Sequence, residues 1–495
     1  MVGSRSETSA EAIVVGRTLP PDEGPNGKER ESAVHLGEAR RQMANVQFEL
    51  PLDASGAARR RERSGEARPA VQGGEHAGGV RDDLMARVVE RKNLVRALRR
   101  VRHNQGSPGI DGMTVDELPT YLRGHWPGIR EALLAGTYQP QPVRRHQIPK
   151  AGGGLRQLGI PTVLDRFIQQ AVLQVLQPRF DPTFSEYSYG FRPGRRAHDA
   201  VGQAQRYIQA GHRWVVDVDL AAFFDRVNHD VLLGKLAHRI TDRRMLGLIR
   251  RYLEAGVMAN GVVVERHEGT PQGGPLSPLL ANVLLDEVDQ ELARRGHRFV
   301  RYADDCNVYV QSKRAGERVL EALVGLYAKL RLRINPAKSA VARAWTRPFL
   351  GFSFWLAPGR VIKRRVAPKA LRAMKDRVRQ LTRRSGGRRI GQVVADLRSY
   401  LVGWRAYFHL ADTPGVFADV QKWLYRRLRA LHLKHWKRGS TVYRELRARG
   451  VSGPVAAMAA RYCRNWWRVA GHKALHLALP TAYFDRLGVP RLAGR

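Results

Sequence analysis

Apolar residues recur at helical spacing through Leu84, Val88, Leu94, Leu98 and Val101, with Arg and Lys filling the positions between them. That pattern predicts an amphipathic helix with one packing face and one basic face. The stretch Asn104 to Gly112 then crowds together Asn, Gly, Ser, Pro and Asp, which ends the helix. From about Tyr138 to Phe354, strand-like apolar runs alternate with helical ones, predicting an α+β or α/β body. Within it, Phe299 to Val310 is two apolar runs around a tight polar centre and predicts a β-hairpin, and Trp214 to Asp219 predicts a strand. Beyond Val361 the spacing becomes helical. Val394, Leu397, Leu401, Trp404 and Phe408 keep a three-four rhythm, and Trp423, Leu424 and Leu428 start the next helix after Pro414-Gly415.

The first eighty residues carry no sustained apolar periodicity and are rich in Gly, Ala, Ser, Glu and Arg, which predicts a disordered tail over 1–80. Internal repeats are not evident. At 495 residues the chain has room for several cores, about three by the usual size of domains.

Charge sharpens the picture. The 85 Lys and Arg exceed the 45 Asp and Glu to give a formal net charge of +40. A field of that size repels itself without a polyanionic partner, so nucleic acid is the expected ligand, with binding that weakens as salt rises. From Val361 onward there are 31 Lys and Arg against 6 Asp and Glu, so the helical end carries much of that excess. Two cysteines, Cys306 and Cys463, exclude both a disulfide framework and a four-cysteine zinc site. There is no secretory leader pattern and no long apolar run, so a soluble, cytoplasmic protein without a membrane partner is expected.

The chemistry gathers at the predicted hairpin, whose turn bears Asp304 and Asp305. Adjacent carboxylates repel, and a hard divalent cation between them and a third oxygen ligand stabilises their ionised forms. The third ligand is expected from the strand Trp214 to Asp219, where Asp217 and Asp219 are two residues apart and share a sheet face; spacing alone does not choose between them. Two metals held by three aspartates catalyse phosphoryl transfer, one lowering the pKa of an attacking 3′-hydroxyl and the other stabilising the leaving pyrophosphate.

These residues carry a family resemblance. Tyr302-Ala303-Asp304-Asp305 is similar to the YxDD box of reverse transcriptases, and Asp219-Leu220-Ala221-Ala222-Phe223-Phe224-Asp225 resembles their first catalytic block. In that block the metal-binding aspartate stands five residues before an aromatic gate, which selects Asp219 over Asp217 and makes Phe224 the gate. A ring beneath the sugar of the incoming nucleotide leaves no space for a 2′-hydroxyl. Of the two neighbouring rings, one is expected in the core, because adjacent strand residues face opposite ways.

Ile148 to Pro161 resembles the fingers hairpin of group II intron reverse transcriptases, with Lys150 and Arg156 on its arms to clamp a triphosphate. Gly269 to Pro278 resembles the family's fourth block, in which Gln272 contacts the incoming nucleotide, ahead of a helix over Leu279 to Leu292. Ser188 to His198 is similar to the end of the second block, which positions template through residues such as Arg192 and Arg195. Leu332 to Ser339 and Phe349 to Phe352 fit the sixth and seventh blocks, and Asn104 to Asp116 resembles the first. The basic helix before it, with Arg99 and Arg100, resembles an N-terminal extension that grips RNA. Tyr400 to Phe408 and Trp423 to Arg429 resemble the thumb-linked maturase region, where Arg426 and Arg427 are candidate RNA contacts and Trp404 and Phe408 are expected in the core. The remaining basic tail resembles that of bacterial class C members, without the His and Cys ligand sets of an HNH nuclease.

The resemblance implies a right-hand α+β polymerase with an antiparallel palm sheet, followed by an α-helical thumb and maturase region. The expected divisions are a tail over 1–80, fingers and palm over 81–355, thumb and maturase over 356–440, and a basic extension over 441–495. It implies two Mg²⁺ ions on Asp219, Asp304 and Asp305, a group II intron RNA template, a DNA primer at the target, dNTPs as substrates, and help with intron splicing. Two rival readings are a splicing maturase with a vestigial polymerase site, and another bacterial reverse transcriptase of the retron, diversity-generating or CRISPR-linked kind. The oligomeric state, the intron and the DNA target stay open.

Overall fold

The computed structural model describes residues 83–149, 155–259, 262–264, 268–270, 273–385 and 387–493. The tail expected over 1–80, Lys150 and Gln272 lie outside the described residues.

The amphipathic helix read from Leu84 onward is two helices, α1 (Leu84–Val88) and α2 (Arg91–Asn104). Leu94, Ala97, Leu98 and Val101 of α2 are buried, while Arg99 and Arg100 are exposed on its other face. After α3 (Leu118–Ala135), the antiparallel arms β1 (Val143–Pro149) and β2 (Leu155–Ile160) form the fingers hairpin. The hairpin belongs to a four-stranded sheet, because β1 also pairs in parallel with β4 (Val257–Ala259), which pairs with β5 (Val262–Val264). Helices α4 (Val163–Phe180) and α5 (Ala197–Gln209) lead to the palm.

The palm sheet has the order β6-β7-β3-β8, built from β3 (Trp214–Val218), β6 (Arg298–Tyr302), β7 (Asp305–Val310) and β8 (Ala340–Arg343). Every neighbouring pair in it is antiparallel. The sheet is buried on both faces, and its period-two alternation sorts side chains between two cores. Val216, Val218, Phe299, Cys306 and Val308 pack toward the fingers and α8 (Ser277–Arg294). Val215, Val300, Tyr302 and Tyr309 pack toward α5 and the helical end of the chain.

Sequence periodicity beyond Val361 predicts helix, but the chain first forms β10 (Ile362–Val366) against β9 (Phe352–Leu356). Ile362 and Val366 are buried while the Lys and Arg between them are not, and that spacing satisfies a strand paired to an apolar partner. Helices follow from Pro368, the longest being α11 (Ile390–Phe408) and α12 (Pro414–Trp436). Trp404 and Phe408 are core, as expected. The expected division at residue 440 falls inside the helix Gly439–Ala448, and residues on both sides of it share one hydrophobic core that reaches Leu492.

Candidate active site

Register decides which carboxylates meet. In the antiparallel pairing of β3 with β7, Asp217 is level with Asn307 and Val218 with Cys306. The pairing ends at Val218 with Cys306, and Asp219 and Asp305 are the next residues at that same end of the two strands. Asp217, Asn307 and Asp305 thus share a sheet face, and Asp219 follows just past the end of β3. Asp304 completes the two-residue turn that joins Tyr302 to its partner Asp305.

Asp217 is occupied as a brace. Its carboxylate accepts from Arg347 Nε at 2.7 Å, and the Asn307 amide, turned to place nitrogen toward it, donates at 3.0 Å. Burial lifts the Asp217 pKa, with Arg347 acting against that rise. Asp219 lies on a different footing, just past the strand end, where the sixth-block segment laces its backbone. Its N–H donates to Ser339 Oγ at 2.9 Å, and its carbonyl accepts from the Asn335 N–H at 2.8 Å. Lys338 Nζ lies 3.9 Å from Asp219 Oδ2.

Ala303, the first turn residue, has φ +58°, a left-handed value that glycine usually supplies in a two-residue hairpin. A buried polar network holds it there. The Arg301 and Asp289 side chains are both fully buried and paired at 2.6 Å. Arg301 also donates to Asn282 Oδ1 at 2.9 Å and to the Ala303 carbonyl at 2.8 Å. Asn282 in turn donates to the Gly190 carbonyl at 2.9 Å. A Cβ on Gly190 would sit 2.2 Å from the Ala303 nitrogen, so only glycine lets the second-block segment pass the turn. Sequence reading missed this network. Its signal is an arginine inside the apolar run Phe299-Val300-Arg301-Tyr302, since a cation on a buried strand requires a carboxylate partner. The neighbouring Cys306 is buried and its thiol is pushed up to about 12 by that burial, which makes it inert.

The Phe223–Phe224 pair departs from expectation in its backbone. The segment is a short 3-10 turn over Phe223–Asp225, entered through Ala222 at φ +50°, rather than strand. The division of labour still emerges: Phe223 is buried and Phe224 half-buried, their rings 5.0 Å apart and nearly perpendicular. The fourth block is tied to this turn. The Thr270 N–H donates to the Phe224 carbonyl at 2.7 Å, and a Cβ on Gly269 would meet that same carbonyl at 2.9 Å. The helix expected over Leu279 to Leu292 extends over Ser277–Arg294. In the fingers hairpin, the Arg156 backbone pairs with Ile148.

Several arginines expected on RNA make hydrogen bonds within the protein. Arg192 is buried, and its guanidinium donates to the Asp181 carboxylate and carbonyl and to the Ser185 and Ser188 carbonyls, which uses every edge of the group. Arg195 is half-buried, donates to the Glu186 carbonyl and lies 5.5 Å from the Tyr189 ring. Arg426 donates to the Trp467 carbonyl at 2.9 Å and stacks over that ring at 4.5 Å. Arg427 donates to Thr382 Oγ1 at 2.7 Å and reaches the carbonyls that end the helix Pro368–Leu381. Helix ends leave carbonyls without intrahelical donors, and a nearby guanidinium satisfies them.

Asp219, Asp304 and Asp305 are hard oxygen donors, the kind Mg²⁺ takes, brought by register to one end of one sheet. Among the described residues, no group of three or more His, Cys, Asp or Glu side chains converges closely enough to grip an ion. The donor chemistry fits a divalent cation, while the side chains stand short of convergence.

An antiparallel palm with paired aspartates at its hairpin turn, a fingers hairpin in front and a helical thumb behind define a right-hand polymerase. Residues 148–354 match the family of reverse transcriptase (RNA-dependent DNA polymerase), and residues 371–450 match the group II intron maturase-specific domain. The chain belongs to the group II intron-encoded reverse transcriptase and maturase family. It is 32% identical over 323 residues to protein YkfC of Escherichia coli strain K12, covering 57% of this chain and 83% of that one. To the group II intron-encoded protein LtrA of Lactococcus lactis subsp. cremoris it is 42% identical over 174 residues, covering 35% of this chain and 29% of LtrA. A 91 kDa protein in the cob intron of Schizosaccharomyces pombe is 34% identical over 181 residues, 37% of this chain and 21% of that one. The matches to LtrA and the cob intron protein thus span less than a third of those proteins' lengths. Among the described residues, no helix is long and apolar enough to cross a membrane.

Proposed function

We propose that this protein copies group II intron RNA into cDNA from a DNA 3′ end at the target site, in the cytoplasm, and that its helical region helps the same RNA fold for splicing. What supports the polymerase reading is the β3–β7 register, whose last pair, Val218 with Cys306, leaves the neighbouring Asp219 and Asp305 at the same end of the sheet beside the Asp304 turn. Asp219, Asp304 and Asp305 would hold two Mg²⁺ ions. Bound there, the ions would activate the primer 3′-hydroxyl and neutralise charge on the departing pyrophosphate.

The chain's own residues supply position. Arg301 and Gly190 fix the turn that carries Asp304, and Ser339 and Asn335 fix the backbone of Asp219. Lys150 and Arg156 on the fingers hairpin clamp the triphosphate, and Gln272 contacts the nucleotide beside it. Exposed Arg99 and Arg100 on α2 lie on a basic face suited to RNA phosphates. The maturase-specific match over 371–450 supports an intron RNA over the substrates of other bacterial reverse transcriptases.

Primer extension on an RNA template with dNTPs and Mg²⁺ tests the reading. Extension is the expected result. Tight RNA binding with no extension across Mg²⁺ and salt conditions would transfer the conclusion to a splicing maturase without polymerase activity.

Phe224, half-buried and tied through its carbonyl to Thr270, is the sugar gate in this reading. Phe224→Ala is expected to lower discrimination against rNTPs by about tenfold or more, since a single excluded hydroxyl is worth about 1–3 kcal/mol. Single-nucleotide incorporation with matched dNTP and rNTP measures it, and unchanged discrimination removes the assignment.

A further inference from the structure

The segment from Phe349 to Phe352 closes on itself. The Phe349 N–H donates to the Phe352 carbonyl at 2.8 Å, and the Phe352 N–H donates to the Phe349 carbonyl at 2.9 Å. Between them, Leu350 at φ +48° and Gly351 at φ +78° make a two-residue turn with two left-handed positions, which Asn-Gly usually fills. A leucine there is an outlier, and a strained backbone persists only where its surroundings enforce it. The end of thumb helix α11 does so. The Tyr407 hydroxyl donates to the Leu350 carbonyl at 2.9 Å, and a Cβ on Gly351 would meet the Phe408 ring at 3.2 Å. Burial pushes the Tyr407 hydroxyl up, which keeps it a donor. The helix end is held in its turn: the Tyr407 carbonyl, one of those a helix leaves without a donor, accepts from His198 Nε2 of α5 at 2.7 Å. Leu350 and Phe352 lie in one hydrophobic core with Tyr302 and Ala303 of the catalytic hairpin, and Tyr407 packs against that core.

We propose that Tyr407 is a positioning residue for the polymerase, whose hydroxyl, acting through the Leu350 carbonyl, sets where the thumb helix stands against the catalytic hairpin. This rests on the polymerase reading and deepens it. The hydroxyl touches no reacting atom in this role. Thumb and palm meet at a turn whose leucine does not favour the conformation it holds, so loss of one donor frees the Leu350 carbonyl and lets the joint relax. A duplex held by a loosened thumb then reaches the reacting geometry at Asp304 and Asp305 less often, and small misplacements of reacting groups are costly in rate. Affinity for the duplex is set instead by cations against phosphates across a chain of net charge +40.

The test compares wild type with Tyr407→Phe in the full chain, since phenylalanine keeps the packed ring and removes only the hydroxyl. Its readouts are kcat and dNTP KM for extension of a DNA primer on an RNA template, fluorescence anisotropy with the same labelled duplex, amide hydrogen exchange at Phe349 and Phe352, and thermal unfolding. The variant is expected to lose about threefold to tenfold in kcat, the effect of one hydrogen bond. Its dNTP KM and duplex Kd should stay within about twofold of wild type. Exchange at the two turn amides should quicken while that of the palm strands does not, and the melting temperature should fall by no more than about 4 °C. An unchanged kcat overturns the proposal, whatever the exchange shows. So does a lower kcat with unchanged exchange at the turn, or a lower kcat with matching losses in dNTP KM, duplex binding and melting temperature, which reduces Tyr407 to packing. A wild type that binds this duplex but extends nothing counts against the polymerase reading, and exchange at Phe349 and Phe352 still decides whether the Tyr407 hydroxyl holds the joint.

Discussion

Replacing the paired turn carboxylates, Asp304→Ala with Asp305→Ala, is expected to lower primer extension on an RNA template by at least about a thousandfold. Metal-assisted phosphoryl transfer draws several kcal/mol of transition-state stabilisation from its ions, and each 1.36 kcal/mol is a factor of ten in rate. Both side chains are half-buried at a hairpin tip, so their loss leaves the two cores intact. RNA affinity should change by less than about threefold, because it is set by cations against phosphates across a chain of net charge +40. The measurement is single-turnover extension beside filter binding of the same RNA. Residual extension above about a tenth of wild type would show that the catalytic ligands lie elsewhere. Loss of extension together with RNA binding would mean that the variant is misfolded, and Asp305→Asn alone, which keeps shape and removes charge, then separates the two causes.

The second large effect is on stability. Asp289→Ala is expected to destabilise the protein by about 3–5 kcal/mol, since it strands the fully buried Arg301 guanidinium without its counter-charge. Urea unfolding followed by far-UV circular dichroism reads this. Replacing both partners, Arg301→Met with Asp289→Leu, is expected to recover most of that stability, because two apolar side chains of similar size fill the site. Extension should remain impaired in this double variant, in kcat more than in dNTP KM. The Ala303 carbonyl has lost its donor at 2.8 Å, and a turn held at φ +58° relaxes without it. Full recovery of both stability and kcat would reduce the network to ordinary packing.

The helical elements were legible in the chain wherever one face was apolar. The positions Leu94, Leu98 and Val101 of α2, and Leu397, Leu401, Trp404 and Phe408 of α11, are buried as their spacing required. The palm hairpin was equally plain, because apolar runs flanking Ala303-Asp304 can pair only across that turn. Chain spacing could not choose between Asp217 and Asp219, which alternate onto one face; family resemblance chose Asp219, and the tertiary structure supplied a physical distinction. Arg347, 130 residues downstream, engages the carboxylate of Asp217 and makes it a brace. The arginines show the same limit. Arg192, Arg426 and Arg427 read in sequence as phosphate contacts, yet each is turned inward onto carbonyls, carboxylate or hydroxyl that no local pattern announces.

What the sequence determined by itself was the set of elements, the polyanionic partner implied by its charge, and the carboxylates at the hairpin turn, since periodicity, net charge and local turn chemistry are all written in neighbouring residues. What only the tertiary structure decided was which polar groups spend their hydrogen bonds inside the protein. The pairing of Arg301 with Asp289 and the approach of Gly190 to Ala303 join segments far apart in the chain. Burial makes such long-range pairings obligatory, because an ion or backbone group removed from water must find a partner wherever the fold brings one.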